Sequence, residues 1–217
     1  MSLQHRIPWL LAAVVSSVAA MVSGAQSGVP FIVALAALLY ALVIIATAVE
    51  VNRPLWRLDK AKVCADTAAM AVRRNLRLLM LTYGWGAAAM FGVYGLSGVR
   101  WQHGWQYGSA LALVALLFLL YVHLIGGNGS PLRTRRALVT VQKLTVLHGA
   151  GAMAGLGYLI LSGKIWSTKA DWAGSMIFLA GSLAVAALCV VAAITQSKLV
   201  AAGQWAEPTG SDAATGS

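Results

Sequence analysis

Six stretches of this chain are apolar, about 20 residues long and free of formal charge, and they constrain its fold more than any other feature. They cover residues 7–24, 29–49, 78–98, 104–125, 144–163 and 174–195. A helix rises about 1.5 Å per residue, so each stretch is long enough to cross a hydrocarbon layer of about 30 Å. Lipid offers a bare backbone no hydrogen-bond partner, so each span must be a helix or part of a closed barrel. The runs are continuously apolar, without the alternation of barrel strands, and predict helices. The expected fold is therefore an all-α membrane protein of six transmembrane helices, with residues 1–202 as one domain.

Composition agrees. The chain is 59% hydrophobic and only 10% charged, against about 25% charged in soluble domains. The net charge of +10 does not read as a nucleic-acid footprint, because the bases are not gathered on a soluble face. They sort by membrane side. With the N-terminus inside, all 16 Lys and Arg fall on the inner side except Arg100, Lys164 and Lys169. By the positive-inside rule this puts both termini in the cytoplasm, as in a bacterial inner-membrane protein. The basic inner face suits anionic lipid headgroups. Cys64 and Cys189 form no CxxC pair and imply neither a disulfide nor a thiolate metal site. Ser23, Gly24 and Ala25 loosely resemble a signal-peptide cleavage site. Cleavage there would leave almost no polar spacer before the second span, so the first helix is expected to be retained.

The outer connections are short, which makes three antiparallel hairpins. Hairpins two and three align at an offset of 65 residues. Gly84 to Ala87 fall on Gly149 to Ala152, Gly92 on Gly157, Tyr83 on His148, Leu96-Ser97-Gly98 on Leu161-Ser162-Gly163, and Trp101 on Trp166. An internal repeat is the expected reason, with a pseudo-symmetry axis along the membrane normal. Residues 50–77 form an inner linker, expected either as an amphipathic interfacial helix or as a solvated extension of span three. Residues 203–217 have the small, polar composition of a disordered tail.

Small residues recur on the faces of spans three and five: Gly84, Ala88 and Gly92, then Gly149, Gly151, Gly155 and Gly157. Such stripes let membrane helices approach closely, and helices three and five are expected to meet through them. No Asp, Glu, Lys or Arg lies deep in any span. That argues against a proton relay, paired carboxylates or a Ser-His-Asp set. Two histidines do lie in spans. His123 and His148 flank one inner loop at similar depth. They are the candidate cofactor ligands, for haem b or a metal, in a cytochrome-like subunit. Scattered methionines offer no soft-metal cluster. Trp101, Trp105, Tyr107, Trp166 and Trp172 gather at the outer boundary as an aromatic belt.

The leading functional expectation is a non-enzymatic membrane protein, an accessory or assembly subunit or a small-molecule binding unit, working through close helix packing. Its expected partners are the bilayer, a second copy or another membrane protein. The alternatives are the haem or metal subunit and a passive channel for a small neutral solute, lined by Tyr40, Thr47, Thr82 and Tyr83.

Overall fold

The computed structural model describes residues 3–59, 63–97, 104–126, 134–161 and 172–202. These residues form a short 3-10 turn, Leu3–Arg6, and six α-helices: α1 Ile7–Gln26, α2 Pro30–Arg57, α3 Ala65–Leu96, α4 Gly104–Gly126, α5 Arg135–Leu161 and α6 Trp172–Ala201. No strand occurs among them.

Local chemistry sets several of the boundaries. Pro8 and Pro30 stand in the first turns of α1 and α2, where a missing N–H costs nothing. Between them Gly28 adopts φ 67°, a left-handed conformation that side chains disfavour. Val29 N then donates to Gly24 O at 2.9 Å, closing the turn. Gly24 is also needed for space, since a Cβ there would lie 2.8 Å from Ile32 Cβ. At the opposite end, Arg6 pairs with Glu50 and ties the start of α1 to α2.

α3 touches all five other helices, most broadly α4, and α6 packs against α2, α5 and α3. The main core gathers Met21, Val33, Tyr40, Ile44, Leu79, Trp85, Met90, Ile177 and Leu188. At its centre Tyr40 stacks on Trp85 with centroids 4.5 Å apart. Trp85 Nε1 donates to Ser17 Oγ at 3.0 Å, and Tyr40 Oη donates to Leu81 O at 3.1 Å. Both aromatics thus bury a polar tip with its hydrogen bond made, as an apolar interior requires.

Outside the core the surface is apolar. Trp9, Val15, Phe31, Leu39, Leu113, Leu116 and Leu120 are all exposed, which fits contact with lipid. Five of the helices, α1, α2, α3, α4 and α6, are long and apolar enough to cross a membrane. α5 stands outside this set of five, because several side chains in its second half lie outside the described residues.

Residues 65–77 are the first turns of α3, one continuous helix of about 48 Å by rise per residue. They do not lie apart as an interfacial helix. Ala68, Ala69, Val72 and Leu76 join Leu55, Val63, Val122, Ile125, Leu138, Val141 and Leu199 in a second core at this end of the bundle. α2 runs on past residue 49 to Arg57 for the same reason: Leu55 enters this second core, and Trp56 reaches α6.

Candidate functional site

Two grooves flank α4, and each holds one of the in-span histidines. The first lies between α4 and α5, floored by α3. It measures about 330 Å³ and is lined by Leu76, Val114, Leu117, Phe118, Tyr121, Val141, Leu144, Thr145 and His148. It exists because α4 packs on α3 while α5 packs on α6, and α5 touches α3 only lightly. The lining is mostly branched or aromatic carbon. Thr145 spends its hydroxyl on Val141 O at 2.9 Å. His148 is half-buried at one end, its Nε2 hydrogen-bonded to Tyr83 Oη. Phe118 meets the imidazole edge-on, with centroids 5.7 Å apart.

Tyr83 also borders a cavity of about 90 Å³ deeper in the bundle, shared with Thr82, Trp85, Gly86, Met90, Leu111, Ile177 and Ser182. The Tyr83–His148 pair therefore stands between an open apolar groove and a small internal space. Two of the proposed channel-lining residues, Thr82 and Tyr83, border that space. The other two do not. Tyr40 is committed to Leu81 O, and Thr47 donates to Val43 O at 2.7 Å.

His123 lies in the second groove, on another side of α4, with Ile7, Arg73, Arg77, Met80, Leu81, Leu119 and Val122. The two histidines thus share no groove among the described residues. A bis-histidine haem needs both rings turned into one space, and this placement does not supply it. No group of three His, Cys, Asp or Glu able to hold a metal occurs among the described residues.

The glycines divide. Gly92 faces α1, where a Cβ would lie 3.1 Å from Val18 and Val22. Gly149 faces α6, pressed on the side chain of Cys189, whose Sγ donates to Thr145 O at 3.3 Å. Gly84, Gly151 and Gly157 have no described atom within 4 Å of a Cβ position. Ala88 and Gly155 lie on α3 and α5. The expected meeting of α3 and α5 through these stripes is corrected. Among the described residues the close approaches at these glycines run from Gly92 of α3 to α1 and from Gly149 of α5 to α6.

Sequence reasoning looked for buried charge and so missed the buried amides. Asn52 Nδ2 donates to Asn75 Oδ1 at 2.9 Å and to Ala48 O at 2.8 Å. Thr195 Oγ1 lies 3.3 Å from Asn52 Oδ1, and Trp56 Nε1 donates to Thr195 Oγ1 at 3.3 Å. Gln142 Nε2 donates to Ala192 O at 2.8 Å. Asn75 Nδ2 and Gln142 Oε1 keep no hydrogen-bond partner among the described residues. The polar residues Asn52, Asn75 and Gln142 at the ends of otherwise apolar runs were the available signal. Outside the spans, Cys64 opens α3 with its thiol 3.1 Å from Thr67 Oγ1, and that hydrogen bond holds the thiol below its ordinary pKa.

Several sequence features lie outside the described residues: Gly98, Trp101, Ser162, Gly163 and Trp166 of the repeat, the outer cations Arg100, Lys164 and Lys169, and the tail 203–217. Comparison with models of protein families, with curated proteins and with solved structures finds no match to this chain.

Proposed function

We propose that this chain is a non-enzymatic, membrane-embedded binding unit that holds a lipid-soluble molecule in the groove between α4 and α5. The observation that carries this reading is the groove itself: an apolar space of about 330 Å³ with a single imidazole at its end. Such a site suits an uncharged molecule with a hydrophobic body and one hydrogen-bonding head, a carbonyl or a hydroxyl, set against His148. An accessory or assembly role is compatible with it, since the outward faces of α1 and α4 are apolar and open to a partner helix.

The test is extraction of the purified full chain followed by mass spectrometry of what it carries. Wild type should retain a lipophilic molecule at near-stoichiometric amount. Leu144→Trp, which fills the groove from an exposed position, should lose it. His148→Leu should weaken retention while leaving the fold intact. His123→Ala should have no effect on it, since that residue lines the other groove. Equal retention by wild type and Leu144→Trp sinks the proposal.

The finer architecture belongs to the same reading. α5 crosses the bilayer as a sixth span, both termini are cytoplasmic in an inner membrane, and the helices form three hairpins with the second and third related by duplication. The contacts of α1 with α2, α3 with α4 and α5 with α6 support the hairpins. The pairing of Tyr83 with His148, aligned residues of the two hairpins, supports the duplication. Reporter fusions after Gly28, His103 and Lys169 should read periplasmic, and one after Arg136 cytoplasmic. A cytoplasmic reading after Lys169 would remove α5 from the membrane-crossing set.

A further inference from the structure

The groove on the other side of α4 has a different character. It encloses about 310 Å³ between α1, α3 and α4, and among the described residues its polar lining is Arg73, Arg77 and His123, with no acidic side chain. Its apolar lining is Ile7, Met80, Leu81, Leu119 and Val122. The two kinds of residue are ordered along the helices. On α3, Arg73 and Arg77 precede Met80 and Leu81, which lie about one turn farther into the apolar run. On α4, which runs the other way, His123 follows Leu119 by about one turn toward the helix end. Both helices thus put cationic and hydrogen-bonding groups at the mouth and carbon walls toward the bilayer interior.

Arg73 is held in this arrangement by Gly126. Its guanidinium packs over the last residue of α4, and a Cβ at 126 would fall 2.6 Å from Arg73 Cζ. A larger residue there would push the guanidinium aside. A guanidinium fork matches the paired oxygens of a phosphate, and two of them beside an imidazole make a strong phosphate-recognising set. A free phosphate would use only the mouth. A lipid phosphate would use the mouth and the walls together.

We infer that this groove is a specific site for the phosphodiester headgroup of an anionic phospholipid, with Arg73, Arg77 and His123 on the phosphate and an acyl chain along Met80, Leu81 and Leu119. The site is separate from the groove between α4 and α5 and does not depend on what that groove holds. It also differs from a general attraction of the basic face to acidic membranes. That attraction would draw equally on exposed cations such as Arg53, which does not line the groove.

The experiment uses the full chain, delipidated in detergent and then titrated with phosphatidylglycerol, phosphatidylcholine or inorganic phosphate. Native mass spectrometry reads the lipid retained, and the thermal transition reads the stabilisation. Phosphatidylglycerol should bind and raise the transition, and the other two should not. Arg77→Gln and Arg73→Gln should each weaken phosphatidylglycerol binding about tenfold, the scale of one charge-assisted hydrogen bond. Arg77→Lys, which keeps the charge without the fork, should fall between, and Arg53→Gln should match wild type. Should Arg73→Gln fail to fold, the two Arg77 variants decide alone. Wild-type binding by Arg77→Gln overturns the site. Equal loss in Arg53→Gln overturns its specificity in favour of the diffuse basic face. Equal protection by inorganic phosphate overturns the lipid assignment in favour of a soluble anion.

Discussion

Gly149→Leu should lower the thermal stability of the protein in detergent more than any other glycine substitution on α3 or α5. The backbone at Gly149 sits directly against the Cys189 side chain, so even a methyl group collides with it. Cys189 cannot swing away freely, since it is buried in the main core and its thiol is bonded to Thr145 O. Overpacking in a tight core typically costs about 1–3 kcal/mol, and more where neighbours have no room to shift. Gly151→Leu, two residues away with open space at its Cβ position, should leave the transition near wild type. Cys189→Gly should restore part of the loss in the double variant, because it removes both atoms that the new side chain meets. A thermal transition unchanged by Gly149→Leu would contradict the observed packing of α5 on α6.

Asn52→Leu is the second substitution with a large expected effect. Asn52 donates its amide to Ala48 O and Asn75 Oδ1, and its carbonyl oxygen accepts from Thr195 Oγ1, so α2, α3 and α6 meet on one side chain. Leucine has the same number of side-chain heavy atoms and the same branch at Cγ, so the change opens no cavity. It leaves Asn75 buried without its donor, in addition to the Nδ2 that already lacks a partner. An interhelical hydrogen bond within a membrane contributes about 0.6–2 kcal/mol, and a stranded buried amide adds its own desolvation cost of about 1–3 kcal/mol. The double variant Asn52→Leu with Asn75→Leu should recover much of the loss, since it removes both polar partners. Thermal denaturation of the single and double variants gives the coupling directly, and additive losses would mean that the two amides do not act as a pair.

The long apolar runs made the helices legible, because a run of that length and composition has few other folds open to it. Element ends were less legible where tertiary contacts extend a helix beyond its apolar run. α2 continues through Glu50 to Arg57 because Leu55 and Trp56 find partners on other helices, and α3 begins at Ala65 because its alanine face enters a second core. Helix pairing was the weakest point. The glycine stripes announced close approaches on α3 and α5, but a stripe does not name its partner: Gly92 meets α1 and Gly149 meets α6. The histidines carried a similar ambiguity. Equal depth was expected of His123 and His148 on consecutive helices, yet rotation about the helix axis decides which groove a side chain enters. That rotation separates the two rings here.

The place of α6 as the last helix also sets an order of assembly. The ribosome makes α6 after every helix that it holds together. Until it arrives, Asn52 lacks the Thr195 hydroxyl and Gln142 lacks the Ala192 carbonyl, and Gly149 has no Cys189 to close against. Until α6 packs, the Asn52 carbonyl and the Gln142 amide therefore go without these partners, and the last helix supplies both in one step.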